Sequence, residues 1–172
     1  MPTIDEILER FDLAPLEGEG GMFKRTYASR TVLPAKTYGA HYPEGTMKEA
    51  GSAIQYLITP ESFSSLHTLP TDEVYHFYLG DPVQLLIISP EGEARTVILG
   101  QDVMHGMEVQ FTVPAFWHQG SRLVPGGEWA LMGTTMAPAY TDDDYRDSDP
   151  APLIARHPEY ADEIRILTHT ET

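Results

Sequence analysis

The sequence predicts an all-β domain, an antiparallel sandwich or barrel, with short helices at its two ends. From about residue 22 to residue 137, short segments rich in Tyr, Val, Ile, Thr and Phe alternate with turn signals. The clearest turns are GDP at 80–82, SPEGE at 89–93 and PGGE at 125–128. Many short strands with regular turns between them are typical of these two architectures.

Residues 3–13 predict a helix before the strands begin. Thr3 stands where an N-cap would, and Glu6 follows three residues later, which is the spacing of a capping box. Apolar residues recur at helical spacing in this segment: Ile4, Ile7, Leu8 and Phe11. Pro15 and the glycines that follow it are expected to end the helix.

Eight later segments are predicted as strands because β-branched or aromatic residues lie between turn signals in them. These segments are 22–30, 53–59, 73–80, 83–89, 94–100, 108–114, 119–125 and 128–136. The chain then becomes acidic, with five aspartates between residues 142 and 149, which we expect to form a solvated loop. Two short helical segments, 151–158 and 159–167, follow and are separated at Pro158.

Length and composition limit the class of protein. The 172 residues suit one domain, placed over residues 1–172, with the barrel at about 22–137 and a helical tail at about 151–168. The net charge of -15 argues against a nucleic-acid partner, and the absence of cysteine excludes disulfides, thiolate metal sites and thiol catalysis. The acidic start lacks the features of a signal peptide and no stretch is long enough for a membrane span, so we expect a cytoplasmic protein without a membrane partner.

The stretch FSSLHTLPTDEVYHFYLG, residues 63–80, carries the candidate chemistry. Alternation along a strand predicts one face that forms the barrel interior and carries Glu73, Tyr75, Phe77 and Leu79. An ionised carboxylate there needs a partner, and a hairpin-like connection through LPTD would bring His67 beside Glu73. The pair would serve as metal ligands, as an acid–base couple or as a structural hydrogen bond.

Two motifs of the chain resemble those of the cupin superfamily. Glu73, six residues and Gly80 match the end of its first motif, and PAFWHQ at 114–119 matches the second, which normally reads Pro-x-Gly-x-x-His. An ordered series, including GEGGMFKRTY, YLIT, VILGQD, EWALMGTTMAPAY and LIARHPEYADEIRILT, resembles the uncharacterised cupin family of the domain-of-unknown-function type, which is similar in fold to dTDP-sugar epimerases. The resemblance implies a double-stranded β-helix, an RmlC-like jelly roll, and a homodimer.

The resemblance also implies where a cupin metal site would lie. Its four ligand positions fall on Ser65, His67, Glu73 and Gln119, of which the histidine and the glutamate are usual ligands. Serine and glutamine are weak ligands for transition metals. His118 lies one residue from the last ligand position, which on a strand means the opposite face. A divalent metal held by His67, Glu73 and Gln119, and a site without any cofactor, both stay open.

A metal-free site would depend on the same stretch. His67 and Glu73 would form the catalytic pair, and Tyr75 or Tyr56 would stand opposite as the proton donor, as the resemblance to epimerases implies. Arg25 would supply positive charge for an acidic or phosphorylated ligand. The predicted ligand-binding residues are Ser65, Arg25, Tyr56, Phe77, Gln119 and Trp117.

Three functions are compatible with these residues. The first is a metal-independent isomerase or epimerase that acts on a carbonyl or sugar-like small molecule through the His67/Glu73 pocket. The second is a metal-dependent cupin enzyme such as a dioxygenase, and the third is a non-catalytic protein that binds a small-molecule ligand. Because this barrel hosts many chemistries, the fold alone does not choose between them.

Overall fold

The computed structural model describes residues 2–39 and 41–168. The helices are α1 (Ile4–Phe11), α2 (Pro150–Arg156) and α3 (Ala161–Ile166), with 3-10 helices at Ala35–Thr37, Val103–His105, Asp142–Asp144 and Pro158–Tyr160. The strands are β1 (Ala14–Pro15), β2 (Met22–Ala28), β3 (Val32–Pro34), β4 (Met47–Glu49), β5 (Ser52–Ile58), β6 (Ser64–Thr68), β7 (Glu73–Gly80), β8 (Val83–Ile88), β9 (Ala94–Leu99), β10 (Gln110–Val113), β11 (His118–Leu123), β12 (Ala130–Met136) and β13 (Arg146–Asp147).

Two antiparallel sheets form the walls of the barrel. The larger sheet has six strands in the order β1-β2-β5-β12-β7-β10, and the smaller has five in the order β13-β6-β11-β8-β9. Strands β3 and β4 form a separate antiparallel pair. This arrangement, with a helix before the strands and helices after them, confirms the predicted all-β class with terminal helices.

The hydrophobic core lies between the two sheets. Side chains of β5, β7 and β12 in the larger sheet pack there against side chains of β8, β9 and β11 in the smaller sheet. Among its most buried members are Tyr56, Ile58, Tyr75, Leu85, Ile87, Leu99 and Met132. Helices cover parts of the outer faces: α1 packs on the larger sheet through Ile7, and α2 and α3 pack on the smaller sheet through Leu153 and Ile164.

The predicted N-cap of α1 is confirmed, whereas the end of the helix, expected at Pro15, comes earlier because Asp12 adopts a left-handed conformation with φ 53° and caps it. Thr3 caps α1 by accepting a hydrogen bond from the Glu6 amide, and the Glu6 carboxylate accepts one from the Thr3 amide in return. Asp149 caps α2 in the same manner through the Ala151 amide, and Pro158 begins a new turn before α3. Among the described residues, the structure contains no helix long and apolar enough to cross a membrane.

Two predictions for residues 63–80 are wrong. The sequence SSLHT was not predicted as a strand, because its polar residues hide the alternation, yet it forms β6 through pairing with β11 and β13. Leu79 was expected inside but is 49% exposed. The cause is a register shift: Phe77 pairs with Met132 and Leu79 pairs with Leu131, so the extra residue, Tyr78, forms a bulge that reverses the alternation.

Candidate functional site

One end of the space between the sheets is not filled by the core and forms a cavity of about 480 Å³. Its wall comes from β2, β5, β7 and β12, together with the loop before β2 and the segment after β12. The apolar side chains that line it are Leu16, Phe23, Ile54, Leu69 and Met136. Glu19, Glu73 and Tyr75 line the same space. A cavity of this size, mostly apolar with a few polar groups, is typical of a small-molecule site.

Glu73 is the first residue of β7, and its carboxylate is held by a chain of hydrogen bonds. Gln119 on β11 donates from Nε2 to Glu73 Oε2 over 2.8 Å, and the same nitrogen lies 3.4 Å from His67 Nε2. His67 Nδ1 donates to the Ser65 carbonyl oxygen over 2.7 Å. Since Nδ1 carries the hydrogen, His67 Nε2 is the acceptor for the Gln119 amide, and the imidazole is neutral.

Burial gives Glu73 and His67 opposite pKa shifts. Removal from water raises the pKa of the Glu73 carboxyl, and the nearby charge of Glu19 raises it further, to about 7 in total. Hydrogen bonds from Thr134 and Gln119 act in the other direction on that carboxyl. Burial lowers the pKa of His67 below its ordinary value, although the charge of Glu73 opposes this. Glu73 therefore exchanges a proton near neutral pH, whereas His67 stays neutral there.

Glu19 is a second carboxyl in the cavity wall, and the sequence analysis missed it. It lies in the glycine-rich loop between β1 and β2, where Ser64 Oγ donates to Glu19 Oε1 over 2.9 Å. Burial raises the pKa of Glu19 to about 7. Gly20 has a φ of 100°, and a Cβ there would lie 2.2 Å from the Phe63 carbonyl oxygen. The run GEGG was the available signal, because only glycine permits this close turn beside an acidic side chain.

Two buried tyrosines stand beside the carboxyls. Tyr56 on β5 donates its hydroxyl to the Gly20 carbonyl oxygen over 2.8 Å and thus also fixes the glycine loop. Burial raises the pKa of Tyr75 well above its ordinary value, and the charges of Glu73 and Glu19 raise it further. The same causes, with Glu19 the larger of the two charges, raise the pKa of Tyr56. Both phenols are therefore protonated near neutral pH and serve as hydrogen-bond donors.

Residues 140–142 complete the cavity wall, and a buried ion pair holds them in place. Asp144 was expected in a solvated loop but is 5% exposed, because its carboxylate forms a buried salt bridge with Lys48. The Lys48 ammonium also donates to the Thr141 hydroxyl. Arg25, on the other side of the opening, donates to the Tyr140 carbonyl oxygen over 2.6 Å. We call residues 140–144 with Lys48 the clasp.

The predicted site residues divide into two groups. Arg25, Tyr56, Glu73 and Tyr75 line the cavity. Ser65, His67 and Gln119 belong to the buried polar group behind Glu73, and Phe77 and Trp117 pack with the core; within the described residues none of these five lines the cavity.

The expected direct pairing of His67 with Glu73 across a hairpin is not formed. Strands β6 and β7 lie in different sheets, so the Gln119 amide bridges the two side chains from the neighbouring strand β11. His67 is fully buried and its ring stacks on Tyr145, with the centroids 4.8 Å apart. Any effect of His67 on a bound molecule must therefore pass through Gln119 and Glu73.

The residues at the cupin ligand positions do not fit a transition metal. The set holds one imidazole and one carboxylate, and the Gln119 amide nitrogen faces both His67 Nε2 and Glu73 Oε2. Ser65 Oγ is buried and neutral, and hydroxyl and amide groups are weak ligands for such ions. Within residues 2–39 and 41–168, no cluster of three or more His, Cys, Asp or Glu side chains could hold a metal ion.

Comparisons with known proteins agree with this architecture. Residues 5–147 match the family model described as Cupin superfamily (DUF985). The crystal structure of protein SO0799 from Shewanella oneidensis is 29% identical, covers 99% of this chain and 100% of its own, and has a TM-score of 0.82. A hypothetical protein from Leishmania major is 27% identical, with 98% and 100% covered and a TM-score of 0.84.

A curated yeast relative extends the comparison. The uncharacterized protein YML079W of Saccharomyces cerevisiae is 24% identical over 133 residues, which cover 74% of this chain and 66% of that protein. The chain thus spans about two thirds of the length of this relative.

Proposed function

Because the chain belongs to the Cupin superfamily (DUF985), we propose that its cavity binds a small molecule and that the protein is a metal-independent isomerase or epimerase. The substrate would be a carbonyl or sugar-like compound. The observation that carries this proposal is that Glu73 and Tyr75 line one cavity from alternate positions of the same strand. A proton acceptor and a hydrogen-bond donor are thereby held at a fixed distance from each other.

The proposed chemistry is a proton transfer at the carbon next to the carbonyl group. Glu73 takes the proton, the electron pair of the C–H bond moves toward the carbonyl oxygen, and an enolate forms. Tyr75 donates a hydrogen bond to that oxygen, where negative charge develops. Inversion of the carbon needs a proton delivered to its opposite face, a role for the protonated phenol of Tyr56, and Glu73 then gives its proton back to that phenolate through solvent. If Glu73 instead returns its proton to the neighbouring carbon of a hydroxycarbonyl compound, while the hydroxyl proton of that compound moves to the enolate oxygen, an isomer forms. No atom is gained or lost overall, so no co-reactant is needed.

The raised pKa of Glu73 suits this role. A general base is most effective when its pKa lies close to the working pH, and burial brings the pKa of Glu73 to about 7. His67 acts as a positioning residue: it accepts a hydrogen bond from the Gln119 amide and thereby orients the donor that holds Glu73. This replaces the direct acid–base role expected for His67 from the sequence.

Arg25 does not support the expected acidic or phosphorylated ligand. Its guanidinium donates to the Tyr140 carbonyl oxygen and lies 3.9 Å from the Glu49 carboxylate. Its charge is thus partly balanced within the protein, while three carboxyls, those of Glu19, Glu73 and Asp142, line the same cavity. The proposed substrate is therefore not an anion.

The test is exchange of carbon-bound hydrogen with solvent. The protein is incubated in D2O with a panel of aldoses, ketoses and small hydroxyketones, and deuterium incorporation is followed by NMR. We expect incorporation into at least one compound, and the change Glu73→Gln lowers its rate by about 10²- to 10⁴-fold because the base is lost. The exposed residue Glu61 offers a matched control, Glu61→Gln, which leaves the rate unchanged.

Two outcomes would contradict the enzymatic proposal. If Glu73→Gln exchanges as fast as the wild type, Glu73 is not the base. If no compound exchanges although one binds, the protein is a non-catalytic ligand-binding cupin. The homodimer implied by the resemblance and the cytoplasmic location stay predictions.

A further inference from the structure

Three carboxyls line the cavity, of which Asp142 is exposed to solvent, and among the described lining residues no free cationic side chain balances the other two, Glu19 and Glu73. We propose that the cavity takes a cationic organic ligand, with an ammonium group bound between Glu19 and Glu73. The inference rests on the proposed function in using the same cavity, and it narrows the ligand to a small compound that carries an amine or quaternary ammonium group, beside a carbonyl where that compound is the substrate.

The side-chain partners of the two carboxyls among the described residues are neutral. Glu19 accepts a hydrogen bond from the Ser64 hydroxyl, and Glu73 accepts one from the Gln119 amide. The imidazole behind Gln119, that of His67, donates to a backbone carbonyl and is neutral. A carboxylate withdrawn from water is stabilised by a cation beside it, and no side chain of the described residues supplies one at this point of the wall.

The cationic residues near the cavity are already engaged. Arg25 is the basic residue among the described lining residues, and it contacts the Tyr140 carbonyl oxygen and Glu49. The Lys48 ammonium forms a salt bridge with the Asp144 carboxylate and donates to the Thr141 hydroxyl, so its charge is already balanced within the clasp. An incoming ligand is therefore the available source of positive charge for Glu19 and Glu73.

The aromatic part of the wall fits the same class of ligand. Phe23, Tyr56, Tyr75 and Tyr140 line the cavity together with the two carboxyls. Aromatic faces attract organic cations, most strongly where water is excluded. An anion would be repelled by the carboxyls of Glu19 and Glu73, and a neutral compound would leave them without a counter-charge. Charge and wall chemistry thus favour a cation over both alternatives.

The test uses three compounds of the same shape and different charge: choline, 3,3-dimethylbutan-1-ol and 3,3-dimethylbutanoate. Binding to the full chain is measured by isothermal titration calorimetry at pH 7, with tetramethylammonium and trimethylamine as smaller cations. We expect a cation to bind at least about tenfold more tightly than the neutral alcohol, and the anion not to bind. Glu19→Gln removes most of this preference, while Glu17→Gln, a change at an exposed neighbour in the same loop, leaves it intact.

The proposal is overturned if the neutral alcohol binds as tightly as choline, if the preference survives Glu19→Gln, or if no cation binds. Melting temperatures of both variants show that each is folded. The solvent-exchange assay gives a separate answer. Exchange without cation preference would refute only the ligand class, and cation preference without exchange would refute only the enzymatic function.

Discussion

The two ends of the space between the sheets differ, although the same strands build both. On β7, Glu73 and Tyr75 line the cavity, whereas Phe77, two residues further along, packs in the core. On β5, Tyr56 lines the cavity and Ile58 is buried in the core. Tyr56 and Tyr75 lie at the boundary and belong to both the core and the cavity wall. The difference teaches that position along a strand, rather than the choice of strand, decides which side chains reach the cavity.

The largest effect is expected at the core end. Phe77→Ala lowers the free energy of unfolding by about 3–5 kcal/mol, because the side chain is 7% exposed and its removal leaves a void. Leu79→Ala, two residues away, lowers it by less than about 1 kcal/mol, since half of that side chain is in solvent. Urea denaturation measures both. Equal losses would contradict the bulge at Tyr78 and the register of β7.

A smaller change in the free energy of unfolding, an increase rather than a decrease, is expected for a substitution of Glu19 at the cavity end. Glu19 has its pKa raised from 4.5 to about 7 in the folded protein, so the folded state binds its proton more tightly than the unfolded state. Its stabilising effect is complete below pH 4.5 and is lost as pH rises through 7.

Glu19→Gln should therefore be more stable than the wild type at pH 8, by about 2 kcal/mol relative to their difference at pH 4.5. Loss of the Glu19 charge also lowers the pKa of Glu73, which favours the variant at high pH in the same direction, whereas the shift of His67 is common to both proteins and cancels. Urea denaturation of the two at a series of pH values checks the prediction, and a difference that does not vary with pH would show that Glu19 is solvated in the folded state.

The smallest effect is expected from a change at Gln119, which connects His67 to Glu73 by hydrogen bonds. Gln119→Leu keeps the shape of the side chain but removes the 2.8 Å hydrogen bond to Glu73, which favours the ionised carboxylate. The pKa of Glu73 then rises, and the pH profile of solvent exchange moves to higher pH by about one unit. Gln110→Leu, at an exposed position, is the control. An unmoved profile would mean that Gln119 does not control the titration of Glu73.

Local chemistry explains which parts of the fold were predictable. The capping box of Thr3 and Glu6 involves neighbours in sequence, and the alternation of Glu73, Tyr75 and Phe77 follows from the pleat of one strand. Both were read correctly because no distant residue decides them. The bulge at Tyr78 depends on the register with β12, more than fifty residues later, and alternation alone could not reveal it.

The candidate site was only partly predictable for the same reason. Glu73 and Tyr75 were found because they lie in a recognisable motif. Glu19 lies 45 residues before its partner Ser64, and Lys48 lies 96 residues before Asp144. These separations match no spacing of a helix, a strand or a turn, so the two contacts are visible only in the folded structure. Gln119 was identified as a weak ligand position, yet its role as the bridge between His67 and Glu73 depends on the sheet order.

The position of the clasp in the chain decides when the cavity wall is completed during synthesis. Its residues 140–144 follow β12, so a growing chain contains every strand from β1 to β12 before the last part of the cavity wall exists. A ligand stabilises only the form that binds it. A ligand that contacts residues 140–142 would therefore gain those contacts only after the chain has been made as far as the clasp.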